Sequence, residues 1–136
     1  MQISTASKWT SALDALFTLA TDEASTQRGG AKLIATIQGT QALGDVLRSA
    51  ISDGDVVVAY DDATLLGFAL CRRGVLEVVY VAPEHRREGV ARALVSTVVQ
   101  NRGEVLDAYA LPGDRATKSL YESFGWKARL LTMRAE

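Results

Sequence analysis

The sequence predicts an α/β fold (α+β), in which helices flank a central, mixed and mostly antiparallel sheet. Apolar residues recur at helical spacing in the N-terminal third, and strand-length apolar runs follow one another in the middle of the chain. In the last third, strand and helix patterns alternate, and a helix that crosses between neighbouring strands makes those strands parallel. The sheet is therefore expected to be antiparallel except where such a helix intervenes.

The N-terminal region predicts two amphipathic helices. The first covers residues 8–21, with Ser7 as its N-cap, and the second covers residues 43–51 and stops before Asp53 and Gly54. A loop is indicated between them at residues 28–30, where two glycines stand together. Residues 31–38 are compatible with either helix or strand.

Three strands are expected next, at 56–60, 64–72 and 75–81, and the first two form a hairpin across the polar pair at 61–62. Pro83 ends the third strand. A helix over residues 87–101 follows, with Gly103 as its stop, and then a strand over 105–111. The chain ends in a helix over 114–124 and a final strand over 126–133.

Composition limits the classes of partner. The 136 residues suit one domain, and 48% hydrophobic with 23% charged residues argues against disorder. Fifteen basic against sixteen acidic residues leave a net charge of −1, so neither nucleic acid nor a membrane is an expected partner. One cysteine, Cys71, and one histidine, His85, provide too few ligands for a zinc or iron–sulfur centre, and no metal is expected. The polar N-terminus predicts a cytoplasmic protein.

The most informative segment runs from Val79 to Arg92, where a strand passes into a helix through a turn that contains Gly89 and Ala91. Small side chains there let a ligand approach the backbone. The N–H groups of the helix's first turn, with the positive end of its dipole, form an anion site. Several N–H donors in a row suit the oxygens of a diphosphate. Three arginines add positive charge around it: Arg86, Arg87 and Arg92.

These residues resemble the acyl-CoA signature of the GNAT family of N-acetyltransferases. The family pattern is Arg/Gln-x-x-Gly-x-Gly/Ala after a Val-x-Pro turn, and this chain has Arg86-Arg87-Glu88-Gly89-Val90-Ala91 after Val81-Ala82-Pro83. A second family element, Leu-Tyr-x-x-x-Gly-Phe, is similar to residues 120–126, with Trp126 in place of Phe. The resemblance covers roughly residues 54–134. It implies a single domain over 1–136, with variable acceptor-side helices in 1–53 and the acyl-CoA core in 54–134.

The resemblance implies an N-acetyltransferase that moves an acetyl group from acetyl-CoA to a primary amine of a small molecule or peptide. Two central strands of the fold are implied to splay apart at the acyl-CoA site. The implied coenzyme-binding residues are those of the strand and of the turn: Val79, Tyr80, Val81, Arg86, Arg87, Glu88, Gly89, Val90, Ala91 and Arg92. Tyr121 matches the family tyrosine that protonates the departing thiolate. Asp114 stands where the family often has Asn, and a carboxylate there is suited to capping the helix.

Two questions stay open at this point. Glu77 lies in an apolar strand, on the same face as Val79 and Val81 if strand alternation holds, and is the candidate base for the amine. The alternatives are an ion-paired or solvated Glu77 and an ordered water as proton acceptor. A non-catalytic acyl-CoA-binding or sensor module is the alternative function, because it would carry the same motif. Similar proteins are often homodimers, so the resemblance suggests a homodimer without fixing the oligomeric state.

Overall fold

The computed structural model describes residues 1–102 and 106–135, and its strands form one sheet in the order β1-β2-β3-β4-β5. Neighbouring strands are antiparallel except β4 and β5, which are parallel. The mixed, mostly antiparallel sheet confirms the predicted class. The strands are β1 Gln2–Thr5, β2 Val56–Asp61, β3 Thr64–Arg72, β4 Val75–Val81 and β5 Asp107–Ala108.

Helices cover both faces of this sheet. The α-helices of the described residues are α1 Ser11–Ser25, α2 Gly30–Gln38, α3 Leu43–Ser52, α4 Val90–Arg102 and α5 Arg115–Ser123, with a short 3₁₀ turn at Pro83–His85. One core cluster joins α1, α2 and α3 to the sheet, with Phe17, Leu47 and Phe68 fully buried in it. The other joins α4 and α5 to the opposite face, around Leu76 and Leu94. The site therefore has to lie at an edge or an end of this sandwich.

The beginning of the chain differs from the prediction. Strand β1 was not expected, because an exposed edge strand lacks the apolar alternation that reveals a buried one. Its pairing with β2 continues to Ala6, whose N–H donates to the Val56 carbonyl at 2.8 Å, so the chain is still extended just before Ser7. The N-cap of α1 is Thr10, whose hydroxyl accepts from the Leu13 N–H at 3.1 Å. The expected cap at Ser7 is therefore wrong.

Helix α2 occupies the segment that the sequence left undecided. Its first residue, Gly30, packs so tightly on the end of α1 that a Cβ there would lie 1.7 Å from the Ala24 carbonyl oxygen. Only glycine allows this contact, and the contact sets the close approach of α2 to α1. The position of α2 therefore depends on its contact with α1 as much as on its own residues.

The second half of the chain follows the predicted order as far as α5. The crossover helix α4 joins the parallel strands β4 and β5, as expected, but begins at Val90 because Arg87 and Gly89 have positive φ. The predicted stop at Gly103 and the start of the next strand at Val105 lie outside the described residues. The final strand predicted over 126–133 is wrong: those residues have no regular structure. No strand of the described chain pairs with them, so Leu130 and Leu131 stay 86% and 76% exposed.

Candidate active site

A cleft of about 820 Å³ opens where β4 extends beyond β5. Strand β5 pairs with β4 only at Val75 and Leu76, whereas β4 continues to Val81. Beyond Leu76, β4 has β3 along one edge, and none of the described strands pairs with its other edge. This is the separation of strands that the resemblance implied. Backbone groups along an unpaired edge are open to an extended ligand.

The turn from β4 into α4 forms one end of the cleft. The first helical hydrogen bond runs from the Ala93 N–H to the Gly89 carbonyl at 3.1 Å, so the amides of residues 90–92 precede it and have no helical acceptor. Gly89 has φ +82°, and a Cβ placed on it would meet no atom within 4 Å. Glycine is needed there for the backbone conformation, and the space in front of the amides is open.

The three arginines of the turn have different surroundings. Arg86 donates to the Val81 carbonyl at 3.2 Å and pairs with Glu23 of α1 at 3.4 Å. Arg92 turns toward α5, where it donates to the Ser123 hydroxyl at 2.7 Å. Arg87 is exposed and lines the cleft, as do the other two. All three add positive charge at this end, but Arg86 and Arg92 already bind protein groups.

Tyr121 lines the opposite wall of the cleft, on α5. Its side chain is buried, and its hydroxyl has no hydrogen-bond partner among the described residues. Burial, with a smaller contribution from the charge of Asp114, raises the pKa of Tyr121 above its ordinary value. The phenol is therefore protonated at neutral pH and has a proton to donate. Asp114 itself caps α5, as the sequence allowed, by accepting from the Thr117 N–H at 3.0 Å.

A β-bulge changes the face on which Glu77 lies. Leu76 and Val78 pair with consecutive residues of β3, which leaves Glu77 as the extra residue between them. Leu76 and Val79 therefore pack on the α4 side, while Val78 packs on the α1 side. Simple alternation would have placed Glu77 on the face of Val79 and Val81, and that expectation is wrong because the bulge interrupts the alternation.

The carboxylate of Glu77 is held by Arg72 of β3. Arg72 donates through Nε to one carboxylate oxygen and through a terminal nitrogen to the other, at 3.1 Å for the latter. The same guanidinium donates to the Ile37 carbonyl of α2 at 2.7 Å. Glu77 is only 6% exposed. This geometry is the ion-paired alternative that the sequence had left open.

On the α1 side of the cleft, Tyr80 and Glu23 form a feature that the sequence did not reveal. The Tyr80 hydroxyl is also buried without a hydrogen-bond partner within the described chain, and the Arg86 guanidinium lies 5.3 Å from its ring centre. Burial, followed by the neighbouring Glu23 carboxylate, raises the pKa of Tyr80 to about 12. Nothing in the sequence distinguishes Glu23 from the other acidic residues of the N-terminal region.

His85 lies in the turn and is partly exposed, with Nδ1 3.7 Å from a Glu88 carboxylate oxygen. Cys71 is buried in the core. The described residues contain no group of three or more potential metal ligands. None of the described helices combines the length and the apolar character needed to cross a bilayer.

Comparison with known proteins identifies the fold. Solved structures that resemble this chain include a GNAT-family acetyltransferase from Bacillus cereus, with a TM-score of 0.66 and 14% identity over 99% of this chain and 88% of that one. The PaiA N-acetyltransferase of Thermoplasma acidophilum, in complex with coenzyme A, has a TM-score of 0.60 and 20% identity over 95% and 92%. A ribosomal-protein-alanine N-acetyltransferase from Brucella melitensis has a TM-score of 0.54 and 21% identity over 85% and 94%. At such identities the likeness establishes the fold.

The family is established by the sequence match. No curated protein matches the chain. Residues 52–128, more than half of the chain, match the model of the acetyltransferase (GNAT) domain. The matched range contains the turn into α4 and Tyr121, and it favours the enzyme over the non-catalytic module. The chain therefore belongs to the GNAT family and is an N-acetyltransferase with acetyl-CoA as its co-substrate.

Proposed function

We propose that the protein acetylates a primary amine of a small molecule or peptide by direct attack of the amine on acetyl-CoA. The observation that carries this proposal is the Tyr121 hydroxyl, which is buried at the cleft and has no acceptor among the described residues. A buried hydroxyl without a partner costs free energy, so its retention favours a role toward a bound molecule.

The residues of the cleft fit acetyl-CoA as the donor. In the proposal, the unpaired edge at Val79, Tyr80 and Val81 holds the pantetheine arm, and the pyrophosphate lies on the amides at the start of α4. The free N–H groups of this helix support the second assignment, because they combine with the helix dipole to attract an anion. This end of the cleft is lined by Arg86, Arg87, Gly89, Val90, Ala91 and Arg92, whereas Glu88 is exposed and does not line it. Arg86 and Arg92 contribute through their charge, since their side chains bind Glu23 and Ser123.

The transfer forms one bond and breaks one. The nitrogen of the neutral amine bonds to the thioester carbonyl carbon, and the carbon–sulfur bond breaks. A backbone N–H of β4 stabilises the negative charge that develops on the carbonyl oxygen. Tyr121 donates its proton to the leaving sulfur. The nitrogen loses one proton, which returns through water to the Tyr121 oxygen, so the enzyme ends as it began.

Water carries the proton in this proposal because the Glu77 carboxylate is already held in an ion pair with Arg72. Both carboxylate oxygens of Glu77 accept hydrogen bonds from Arg72. If Glu77 took up a proton as the base, the buried ion pair would break and the charge of Arg72 would be left uncompensated. We assign Glu77 the positioning of the bulged strand against β3 and α2.

Replacing Tyr121 with Phe tests the acid role. We expect Tyr121→Phe to lower kcat by about 10²-fold or more, which is the usual contribution of a general acid, with acetyl-CoA affinity unchanged. Thiol release with a panel of primary amines measures the first quantity, and calorimetric titration with acetyl-CoA measures the second. Tyr60→Phe is the matched control, because Tyr60 lies on β2 and does not line the cleft. A Tyr121→Phe enzyme as fast as the parent would remove Tyr121 from the mechanism.

Three further expectations stay predictions. They are the division into acceptor-side helices over 1–53 and a coenzyme core over 54–134, the cytoplasmic location, and the homodimer. Light scattering of the purified protein measures the last of these directly.

A further inference from the structure

The bulged strand β4 divides the cleft into two halves. The half toward α4 and α5 contains Val79, Val81 and Tyr121, and it includes the features that suit acetyl-CoA. The half toward α1 and α2 contains Val78 and Tyr80. The donor uses only the backbone of Tyr80 and the charge of Arg86, so the Tyr80 side chain and the rest of this half are available to the acceptor.

The wall of the second half is mostly apolar. Its apolar lining residues come from the end of α1, from α2 and from β4: Ala20, Ala24, Leu33, Ile34, Ile37 and Val78. Ile34 is half-buried and lies outside both core clusters, so its side chain is available to a ligand in the cleft. Such a wall favours a ligand with an apolar body.

The charges of this half come from Glu23, Glu77 and Arg86. Glu77 is buried and already neutralised by Arg72. Glu23 faces Arg86 across 3.4 Å, and these two side chains are 40% and 49% exposed. An ion pair this exposed is weak, so its carboxylate can accept a second cation at little cost.

The Tyr80 hydroxyl adds a neutral acceptor beside this carboxylate. It is buried and makes no hydrogen bond of good geometry in the described part of the chain. It lies near the side chains of Glu23, which raises the pKa of Tyr80, and Arg86, which lowers it. The oxygen of an unpartnered hydroxyl gains a hydrogen bond when an N–H group arrives beside it. Glu23 and Tyr80 together therefore suit an amino group.

Resting on the proposed acetyl transfer, we propose that the acceptor is a primary amine carried by a compact apolar group. Its amino group binds as the ammonium between the Glu23 carboxylate and the Tyr80 hydroxyl and releases one proton to water before the neutral amine attacks. Its apolar group packs on α2 at Leu33 and Ile34. A polyamine with a second positive charge fits poorly, because that charge would meet the apolar side chains of α2.

The test is calorimetric titration of the CoA-saturated protein with 2-phenylethylamine, compared with 1,4-diaminobutane. We expect 2-phenylethylamine to bind more tightly. Glu23→Gln should weaken its binding severalfold, because the negative charge that attracts the ammonium is lost from a partly exposed position. Asp22→Asn is the matched control: it makes the same change of charge on the adjacent residue of α1, which is exposed and does not line the cleft, and should leave the affinity unchanged.

Two more variants separate the amino-group site from the apolar wall. Tyr80→Phe should weaken the binding of 2-phenylethylamine severalfold. It should not lower the melting temperature, since the hydroxyl it removes has no partner among the described residues. Ile34→Ala should reduce the preference for 2-phenylethylamine over 1,4-diaminobutane. A Tyr80→Phe protein that binds the amine as well as the parent would remove the hydroxyl from the site.

Acetyl-CoA binding, measured separately in every protein, distinguishes a failure of the proposed acetyl transfer from a failure of the acceptor assignment. If the parent does not bind acetyl-CoA, the proposed function is wrong and the inference fails with it. If acetyl-CoA binds but Glu23→Gln keeps full affinity for the amine, or 1,4-diaminobutane binds equally well, the acceptor assignment is wrong while acetyl transfer stands.

Discussion

Tyr80 and Tyr121 each carry a buried hydroxyl that has no partner in the described chain. Leaving such a group unpaired costs about 1–3 kcal/mol, which is a considerable part of the stability of a small domain. Both residues line the same cleft, Tyr121 in the half assigned to the donor and Tyr80 in the half assigned to the acceptor. The molecule thus accepts a cost in stability at the two positions where the proposed reaction needs hydrogen-bonding groups.

Gly89 provides a test of the diphosphate position. Asparagine tolerates a positive φ, so Gly89→Asn should keep the turn while its side chain enters the open space before α4. We expect acetyl-CoA affinity to fall by about tenfold, equivalent to ~1.4 kcal/mol, in a calorimetric titration.

The matched control for this variant is Gly54→Asn. Gly54 also has a positive φ, of +75°, and open space around it, but it follows α3 and does not line the cleft. Its substitution should leave acetyl-CoA affinity unchanged. Equal affinity of the Gly89 and Gly54 variants would place the diphosphate elsewhere.

At the scale of elements, β4 organises the site through its two neighbours. The bulge at Glu77 puts Leu76 and Val78 on opposite faces although they are two positions apart, and Arg72 ties the bulge to β3 and α2. On the other edge, the short pairing with β5 leaves the strand open. A β4 paired along its whole length on both edges would leave no gap for the cleft.

Close approach of β3 to β4 and α4 depends on Gly67 of β3. A Cβ there would lie 2.6 Å from the Tyr80 carbonyl oxygen of β4 and 3.4 Å from Cδ1 of Leu94. Gly67→Ala should therefore lower the free energy of unfolding by about 1–3 kcal/mol, because β3 must move away from the β4 backbone. Urea denaturation measures this change.

Gly44→Ala is the comparison for Gly67→Ala. Gly44 lies in α3 with no atom within 4 Å of the added Cβ and no positive φ. The same substitution should there raise the free energy of unfolding by about 0.4–1 kcal/mol, since alanine restricts the unfolded chain. If both variants behaved alike, packing at Gly67 would not be the cause.

At the scale of the whole molecule, the C-terminal residues lie outside both cores. Leu130, Leu131 and Met133 are 86%, 76% and 86% exposed. Replacing Leu130 and Leu131 together with Ser should leave the melting temperature unchanged, because these side chains bury little surface. Leu47→Ala, at a fully buried position, should cost about 2–5 kcal/mol.

Differential scanning calorimetry of the two proteins makes the comparison. A double serine variant destabilised as much as Leu47→Ala would mean that residues 126–133 pack in solution as the strand their sequence predicts.

The sequence by itself determined the elements whose signals are local. The hairpin of β2 and β3, the strand β4, the turn with Gly89 and the Asp114 cap of α5 all depend on residues within a few positions of one another. Patterns of this kind also carried the family resemblance, which the match over residues 52–128 confirms.

Tertiary structure decided what depends on residues far apart in the chain. Arg72 reaches the carbonyl of Ile37 across 35 positions, and Arg86 reaches Glu23 across 63. The bulge that turned Glu77 away from its expected face depends on the register between β3 and β4. The position of α2 depends on its contact with α1. Local patterns fix the backbone of an element, but the partner of a charged side chain is set by whichever distant element the fold brings beside it.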